Sequence, residues 1–587
     1  MSKNTSQKMR SIVSKYSTSI CAVGFGFLLL WHGILCLGSL AQKSLTFDEI
    51  VFIPSSFSVL KARDPRLSPV VPPFSKVVMG LPLLFMDVRF STAMPEWIEM
   101  GQWLEAKNYF IDTGPENIRK LQSFLIQYQF GQKFFYELNK EKLQTIVYLA
   151  RIPFVFLSLL TGYVLYRWSL AIYGAAGAIV TVTLYTFSPT IITHARLATN
   201  DFCFSALTLI TAYCFWKTFV QLQQYEQFPW KESILTGLSA GLLLLTKFSG
   251  LFMLFFLFSG FFCGTLCHAR SGKQIQEQAR SGSFYAMVGR SLRTITFISG
   301  IAIVTIAGVY LLLFGEITII KQLSILYSRL ALDPNYKYYL CGEFGTHFYS
   351  YFLWTVLLKS TVSELIFGFI GIILGLTIYR SSCRTMLWFS LVPALLFFGT
   401  ASIFFPNLSH RYVLCIYPLM FLMSGIVSKP FTRWPILTSS TVLVILVFHC
   451  LSSLRTYPDY IPYFNCFIGD QENAVNYLDD SNVDWGQGLI QLKEFVTKEG
   501  IEQITVSYSD GRSRAFFGFP TKKIDTTNIG QYQPGQYFAV SAHLVSRTLY
   551  TDSHGKRHRF WDQFQRVALV GGSIHIYRFI PVPVERR

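Results

Sequence analysis

The sequence is poor in charge and, within that charge, poor in acid. Only 14 % of its 587 residues are Asp, Glu, Lys or Arg, with 33 acids against 51 lysines and arginines. A water-soluble globular domain carries about 25 % charged residues, so a chain soluble along its whole length is excluded. Phosphate-cradling glycine loops are also missing. No stretch has the spacing of a P-loop or a dinucleotide fingerprint, which speaks against a nucleotide cofactor. The cysteines make no metal frame. Cys21, Cys36, Cys203, Cys214, Cys263, Cys267, Cys415 and Cys450 lie in or beside apolar runs, as small packed residues do. Cys341 and Cys466 fall in predicted outer loops, where an oxidising compartment would let them pair. No internal repeat or low-complexity tract is found.

What the chain has in abundance is apolar length. It is 51 % hydrophobic and 16 % aromatic. Runs near the roughly 20 residues that cross a bilayer core recur along it. They cover Ile20 to Leu40 and approximately 146–166, 171–189, 202–220, 233–247, 248–267, 294–314, 361–379, 386–405, 411–428 and 435–452, about 11 spans in all. The net charge of +18 sits in short loops beside these runs, where basic residues set topology. It does not form the basic arm that would contact nucleic acid. Met1 to Ser19 holds Lys3, Lys8, Arg10 and Lys15 without an acid and is expected to stay in the cytoplasm. Ser39-Leu40-Ala41 is like a signal-peptidase site, but the run before it exceeds a signal core, so it reads as an uncleaved anchor. Each predicted inner loop carries a basic residue: Arg167; Lys217 and Lys231; Arg270, Lys273, Arg280, Arg290 and Arg293; Arg380 and Arg384; Lys429 and Arg433.

Residues 1–19 are thus a basic cytoplasmic terminus and 20–454 an α-helical polytopic membrane domain. Within it, 41–144 is a long first extracytoplasmic loop with 12 basic and 11 acidic residues, the balance of a folded segment. Phe74 to Phe85 and Asn117 to Asn139 have the pattern of amphipathic helices lying along the interface. From 455 to 587 the composition becomes that of a soluble domain. Strands are expected over Gln503–Tyr508, Gln536–Val545 and Ser573–Phe579, and a helix over Leu489–Lys498. An odd number of spans puts this small α/β domain outside the cytoplasm.

Chemistry concentrates on that outer side. Asp48 and Glu49 follow the first span, and a carboxylate beside a low-dielectric boundary is costly to ionise unless it is paired or bonded. Such a group can take a proton from a hydroxyl; it can equally be a solvated turn. His194 to Asp201, between the third and fourth spans, is a second acidic site, in which Arg196 and Asp201 would otherwise be an interfacial ion pair. Lys76, Arg151, Lys247, Lys359, His410 and Arg411 lie at outer ends of spans. Singly such cations snorkel; together they would bind a phosphate. Asp480-Ser481-Asn482-Val483-Asp484 resembles half a calcium loop, but Trp485 stands where glycine is needed and Gln491 where glutamate is needed. It reads instead as a turn in which Asp480 or Ser481 caps the helix carrying Leu489.

Asp48-Glu49 followed by Pro72-Pro73-Phe74-Ser75-Lys76 resembles the Asp-Glu and His-Pro-Pro-Leu-x-Lys signatures of the dolichyl-phosphate-mannose–protein mannosyltransferases. That family, glycosyltransferase family 39, belongs to the GT-C superfamily together with the bacterial aminoarabinose transferases of lipid A. Arg151-Ile152-Pro153, His194 to Asp201 and Leu245-Thr246-Lys247-Phe248-Ser249 are similar to further segments of the family. Asp480 to Gln487 resembles a Ser-Asn-x-Asp-Trp-Gly-Gln signature of bacterial lipid-carrier-dependent glycosyltransferases. Val70-Val71 departs from the pattern, because relatives carry His or Glu-His before the two prolines.

The resemblance implies a GT-C fold and an enzyme of the cytoplasmic (inner) membrane. It would move a sugar, with inversion, from a polyprenyl-phosphate donor in the lipid bilayer to an extracytoplasmic acceptor: a protein hydroxyl, as in protein O-glycosylation, a lipid, as in lipid A modification, or a glycan. Asp48, Glu49 and Asp201 would be catalytic. Lys76, Arg151, Arg196, Lys247, Lys359, His410 and Arg411 would meet the lipid phosphate, and Glu49 with Asp201 would hold a divalent metal. A flippase of a lipid-linked sugar and a catalytically degenerate relative are the competing readings. A transporter should place ionisable groups near the midplane, whereas here they crowd the outer ends.

Overall fold

A computed structural model describes residues 3–105, 116–225, 227–271, 281–330, 336–377, 384–428, 435–508, 510–520, 524–525, 531–551 and 557–580. The basic positions Lys273, Arg280, Arg380, Lys429 and Arg433 lie outside the described residues.

Helices follow the apolar runs closely. In chain order they are α1 (Lys3–Leu40), α2 (Phe47–Leu60), α3 (Phe74–Gly80), α4 (Pro95–Glu105), α5 (Glu116–Lys133), α6 (Leu143–Tyr173), α7 (Ala175–Phe187), α8 (Pro189–Ala195), α9 (Asn200–Gln224) and α10 (Trp230–Leu244). Then come α11 (Gly250–Ser271), α12 (Ser281–Phe314), α13 (Ile319–Leu330), α14 (Tyr351–Lys359), α15 (Val362–Thr377), α16 (Arg384–Leu387), α17 (Leu391–Phe404), α18 (Ile416–Ser424), α19 (Pro435–Thr456) and α20 (Leu489–Lys498). Among the described residues 7 helices are long and apolar enough to cross a membrane, or up to 9 if each bent pair counts as one span. The expectation of about 11 exceeds this because α10 and α18 are helical but too short. The bent pairs shape the outer face. α7 and α8 meet at 61°, α14 and α15 at 117°.

Within the bundle a buried chain of polar groups links three helices. His32 Nε2 and Ser158 Oγ are 2.8 Å apart, and Ser158 Oγ and Tyr185 Oη are 2.6 Å apart. Such contacts hold membrane helices together where no hydrophobic effect acts between them.

Outside the bundle, strands β1 (Tyr338–Leu340) and β2 (Glu343–Gly345) form a hairpin, and β3 (Ile504–Ser507), β4 (Tyr537–Ser541), β5 (Leu549–Thr551), β6 (Arg557–Arg559), β7 (Gln565–Val570) and β8 (Ile574–Arg578) come after it in the chain. The main sheet has the order β3-β4-β8-β7, with only β3 and β4 parallel. Gln536–Val545, expected as one strand, turns helical after Ser541. α20 begins as expected, but Gly488 precedes it in place of Asp480 or Ser481, and the Leu489 N–H is accepted by the Ser44 hydroxyl at 3.1 Å. Asp480 to Asn482 form a separate 3-10 turn. Cys341 and Cys466 are both free and exposed.

α2 is the element that sets the site, and two features fix it. Gly131 of α5 packs against its backbone so tightly that a Cβ there would lie 2.0 Å from Ile50 O. Glu49, in its first turn, forms a bidentate pair with Arg151 of α6 (2.8 and 2.6 Å). Both side chains are essentially inaccessible, 0 % and 1 % exposed. Glu49 also accepts from the Thr46 N–H, the Thr46 hydroxyl and the Ala198 N–H, each at 2.9 Å. Burial pushes its carboxyl up, but Arg151 and the two backbone donors outweigh that and hold it below the ordinary value.

Two outcomes are expected. Gly131→Ala should cost at least about 1–3 kcal/mol by overpacking, read as a lowered unfolding temperature in a lipid nanodisc. Glu49→Gln should cost about 3–5 kcal/mol by leaving Arg151 buried and unpaired. The pair's stabilisation is present above the ordinary glutamate value of 4.5 and is lost as pH falls through the lowered one. The acid-side loss of stability should therefore flatten in Glu49→Gln.

Candidate active site

Neighbouring positions in the first turn of a helix point in different directions, so Asp48 and Glu49 serve different ends. Glu49 faces inward to Arg151. Asp48 faces outward and bonds to Arg411 Nη1 through Oδ2, and Oδ1 has no hydrogen-bond partner among the described residues. The same Arg411 nitrogen lies 3.4 Å from Asp201 Oδ2, and Asp201 Oδ1 receives a 2.8 Å bond from Lys247 Nζ. The two acidic patches, remote in sequence, meet on one guanidinium nitrogen. Burial works against the charge of Arg411, but Asp48 and Asp201 outweigh it and hold its pKa above the ordinary value. The guanidinium also lies 4.2 Å from the Trp485 ring centroid, a cation–π contact that fixes its plane.

The C-terminal segment aims both members of the central pair. The Phe47 N–H donates to Trp485 O (2.8 Å), and the Ser44 N–H donates to Gln487 O (3.2 Å). Gly486 lies between them with φ +92° and is close enough that a Cβ would stand 3.4 Å from Leu45 O. On the other side, Asn482 Oδ1 accepts the His410 N–H at 2.8 Å, and its amide donates to Tyr351 Oη at 2.8 Å. One turn thus grips the residues just before Asp48 and the residue just before Arg411. From sequence alone this turn reads as a helix cap. The tryptophan and glycine between two aspartates and a glutamine are its visible signal, but which chain it grips is a long-range fact.

A cavity of about 330 Å³ opens above the central pair. Leu45, Phe47, Asp48, Ile50, Leu408 and Arg411 line it from the membrane half, and Asp480, Asp484, Trp485, Tyr508, Ser541 and His543 from the C-terminal half. Asp484 receives bonds from the Gly486 N–H (3.0 Å) and the Ser541 hydroxyl. Burial nevertheless pushes its pKa up to about 6.

Most of the cations expected at a phosphate lie elsewhere. Arg151 donates to Glu49 and to the carbonyls of Leu40, Lys43 and Ser44, which leaves it no free N–H. Lys76 is buried and donates to Ser68 O and Val71 O (2.6 and 2.7 Å), so it braces its own loop. The carbonyl of Val71, one of the two valines that break the family pattern, serves this brace. Arg196 is 1 % exposed and lies over the Tyr460 ring at 5.5 Å, away from the cleft. Lys359 donates to Ile461 O and Asn482 O (2.7 and 2.6 Å). With His194 and His410 it lines a closed space of about 10 Å³, the size of one water. Burial holds the His410 imidazole well below its ordinary pKa, which makes it a poor cation. Arg411 lines the cleft, and Lys247 joins it through Asp201.

The residues expected to hold a metal do not fit one. Glu49 is saturated by Arg151 and three further donors, and Asp201 is paired with Lys247 and Arg411. Among the described residues no group of three or more His, Cys, Asp or Glu side chains is gathered to hold an ion.

Residues 102–319 match the family described as dolichyl-phosphate-mannose-protein mannosyltransferase. No curated protein matches the sequence. Among solved structures the chain is similar to ArnT from Cupriavidus metallidurans bound to undecaprenyl phosphate, with 11 % identity, a TM-score of 0.45, and 95 % of this chain and 97 % of that one covered. It is similar to the archaeal oligosaccharyltransferase AglB from Archaeoglobus fulgidus in complex with an inhibitory peptide and a dolichol-phosphate (11 %, 0.38, 91 % and 74 %). It is also similar to the S. cerevisiae protein O-mannosyltransferase Pmt1-Pmt2 complex bound to the sugar donor (16 %, 0.32, 51 % and 34 %). Likenesses of this size leave the chemistry to be read from the residues themselves. The matched stretch, residues 102–319 of the 587, is similar to that family and supplies Arg151, Arg196, Asp201 and Lys247.

Proposed function

We propose that the chain transfers a sugar from a polyprenyl-phosphate carrier to an acceptor hydroxyl on the extracytoplasmic face, with Asp48 as the base. The single observation that carries this reading is the Asp48–Arg411–Asp201 cluster at the floor of a cavity that also borders the membrane half. The basic inner loops support a topology with the amino terminus in the cytoplasm and the C-terminal α/β segment outside, in the cytoplasmic membrane of the cell.

The acceptor hydroxyl gives its proton to Asp48 Oδ1, the oxygen that Arg411 leaves free. Its oxygen attacks the anomeric carbon from the face opposite the carrier. A carbon–oxygen bond forms there as the bond from that carbon to the phosphate oxygen breaks, and the electron pair leaves with the lipid phosphate. Inversion is the stereochemical result. Positioned proton transfer of this kind contributes about 10²–10⁴-fold. Lys247 and Arg411 meet the charge that grows on the departing phosphate, in a site from which water is partly excluded. Asp201 holds both cations without touching the acceptor, and Glu49 fixes α2. These two carboxylates are positioning groups, and no step calls for a metal.

The test is release of free polyprenyl phosphate by the purified full-length protein in nanodiscs, supplied with a panel of polyprenyl-phosphate monosaccharides and acceptors. Asp48→Asn should lower turnover by about 10²–10⁴-fold while membrane insertion and unfolding temperature stay as in the wild type. Undiminished turnover in that variant would remove Asp48 as the base.

A further inference from the structure

The cavity above Asp48 carries a charge pattern that the transfer chemistry does not require. Three of its lining residues are aspartates: Asp48, Asp480 and Asp484. Its two basic residues each face a carboxylate: Arg411 through Nη1 faces Asp48 and Asp201, with its Nε unbonded among the described residues, and His543 faces Asp479 across 3.4 Å. Asp484 is spent on the Gly486 N–H and the Ser541 hydroxyl. Asp480 differs from the others. Its carboxylate accepts only the N–H of the adjacent Ser481 (2.5 Å) and has no ion-pair partner among the described residues. Its backbone sits at φ +55°, a left-handed conformation that aspartate tolerates better than most residues. The 3-10 turn whose Asn482 pins His410, and which leads into the Trp485–Gln487 stretch that pairs with Phe47 and Ser44, therefore also holds a lone carboxylate at the wall of the same cavity. The remaining wall is apolar at Leu45, Phe47, Ile50, Leu408 and Trp485 and carries the hydroxyls of Tyr508 and Ser541.

We propose that this cavity is the acceptor site and that Asp480 sets its charge preference. It takes an uncharged or cationic hydroxyl compound, a neutral or amino sugar, and rejects acceptors that carry phosphate. The inference rests on the reading of Asp48 as base at the cavity floor. An anion entering would find Arg411 and His543 each already facing a carboxylate and would meet the three lining aspartates. Like charges brought together in a partly dehydrated pocket cost several kcal/mol. A neutral sugar offers hydroxyl donors to Asp480, and an amino sugar adds an ammonium that pairs with it. The donor's own phosphate is met by Lys247, which does not line the cavity, together with Arg411 at its floor.

The experiment measures polyprenyl phosphate release by the full-length protein in nanodiscs with three probes: methyl glucoside, glucosamine and glucose 6-phosphate. The neutral and amino sugars should raise release above the acceptor-free rate, with kcat/KM at least about tenfold above that for glucose 6-phosphate, a ratio worth about 1.4 kcal/mol. Asp480→Asn keeps a residue that accepts the left-handed backbone, and it should narrow that ratio severalfold. Equal use of glucose 6-phosphate by the wild type would overturn the charge preference and leave the transferase reading standing. A serine peptide used in preference to all three probes would overturn the sugar assignment. If none of these acceptors stimulates release, the transferase reading falls, and this inference falls with it.

Discussion

The geometry of the site depends on a buried ion pair, to which the proposed transfer gives no chemical step. Glu49 and Arg151 join the start of α2 to the side of α6, and both are closed off from water. A pair that deep survives only because every donor and acceptor is used. The guanidinium has five N–H groups, shared between one carboxylate and three backbone carbonyls. Those carbonyls belong to Leu40, Lys43 and Ser44, the residues where the first membrane helix ends and the outer loop begins. The arginine thus fixes the exit of the chain from the membrane, and the glutamate fixes the next helix against it. Asp48, one residue earlier, inherits a defined position and points the other way.

The second constraint comes from far along the chain. Trp485 and Gln487 pair by backbone with Phe47 and Ser44, and Asn482 pins the backbone of His410. Lys43 adds an ion pair to Asp459 and a 2.5 Å bond to Gln491 Oε1. The C-terminal α/β segment is therefore built into the site from one side, as the bent pairs α7–α8 and α14–α15 are from the other. An Asp48–Arg411–Asp201 cluster assembled from three remote segments needs such a clamp, because each loop alone would be free to drift by more than the proposed proton transfer allows.

These constraints explain which parts of the protein are legible in sequence. Apolar runs translate directly into helices, because length and composition alone decide them. Only α10 and α18, too short to span, make the count of crossings differ. The α20 helix and the β3 and β8 strands follow their periodicity, whereas the second half of Gln536–Val545 does not, since after Ser541 the chain leaves the sheet to wind a short helix. At the site, Asp48 and Asp201 are readable as polar exceptions beside apolar runs. Arg151, Lys76, Lys359 and Arg196 are readable as cations at the right depth, but their roles are not. Whether a cation at a helix end faces a ligand or its own backbone depends on which carbonyls lack partners, and that is settled only when the loops close. The same holds for Asp480, whose isolation is visible only once Arg547 and His543 are seen to take Asp479.

Under the proposed transfer, the thinning of the cation set has a chemical consequence. Many cations at a phosphate site would bind the carrier tightly both before and after transfer, and equal stabilisation of ground state and product does not raise the rate. Two cations already held by Asp201 offer less to the intact donor, whose phosphate diester carries a single charge. They offer more as a second charge grows on the leaving phosphate, because the field needed to meet it is already in place. On this view Asp201 does for Lys247 and Arg411 what Glu49 does for Arg151. It satisfies most of a cation's demand in the resting protein, so that the remainder is spent where charge develops.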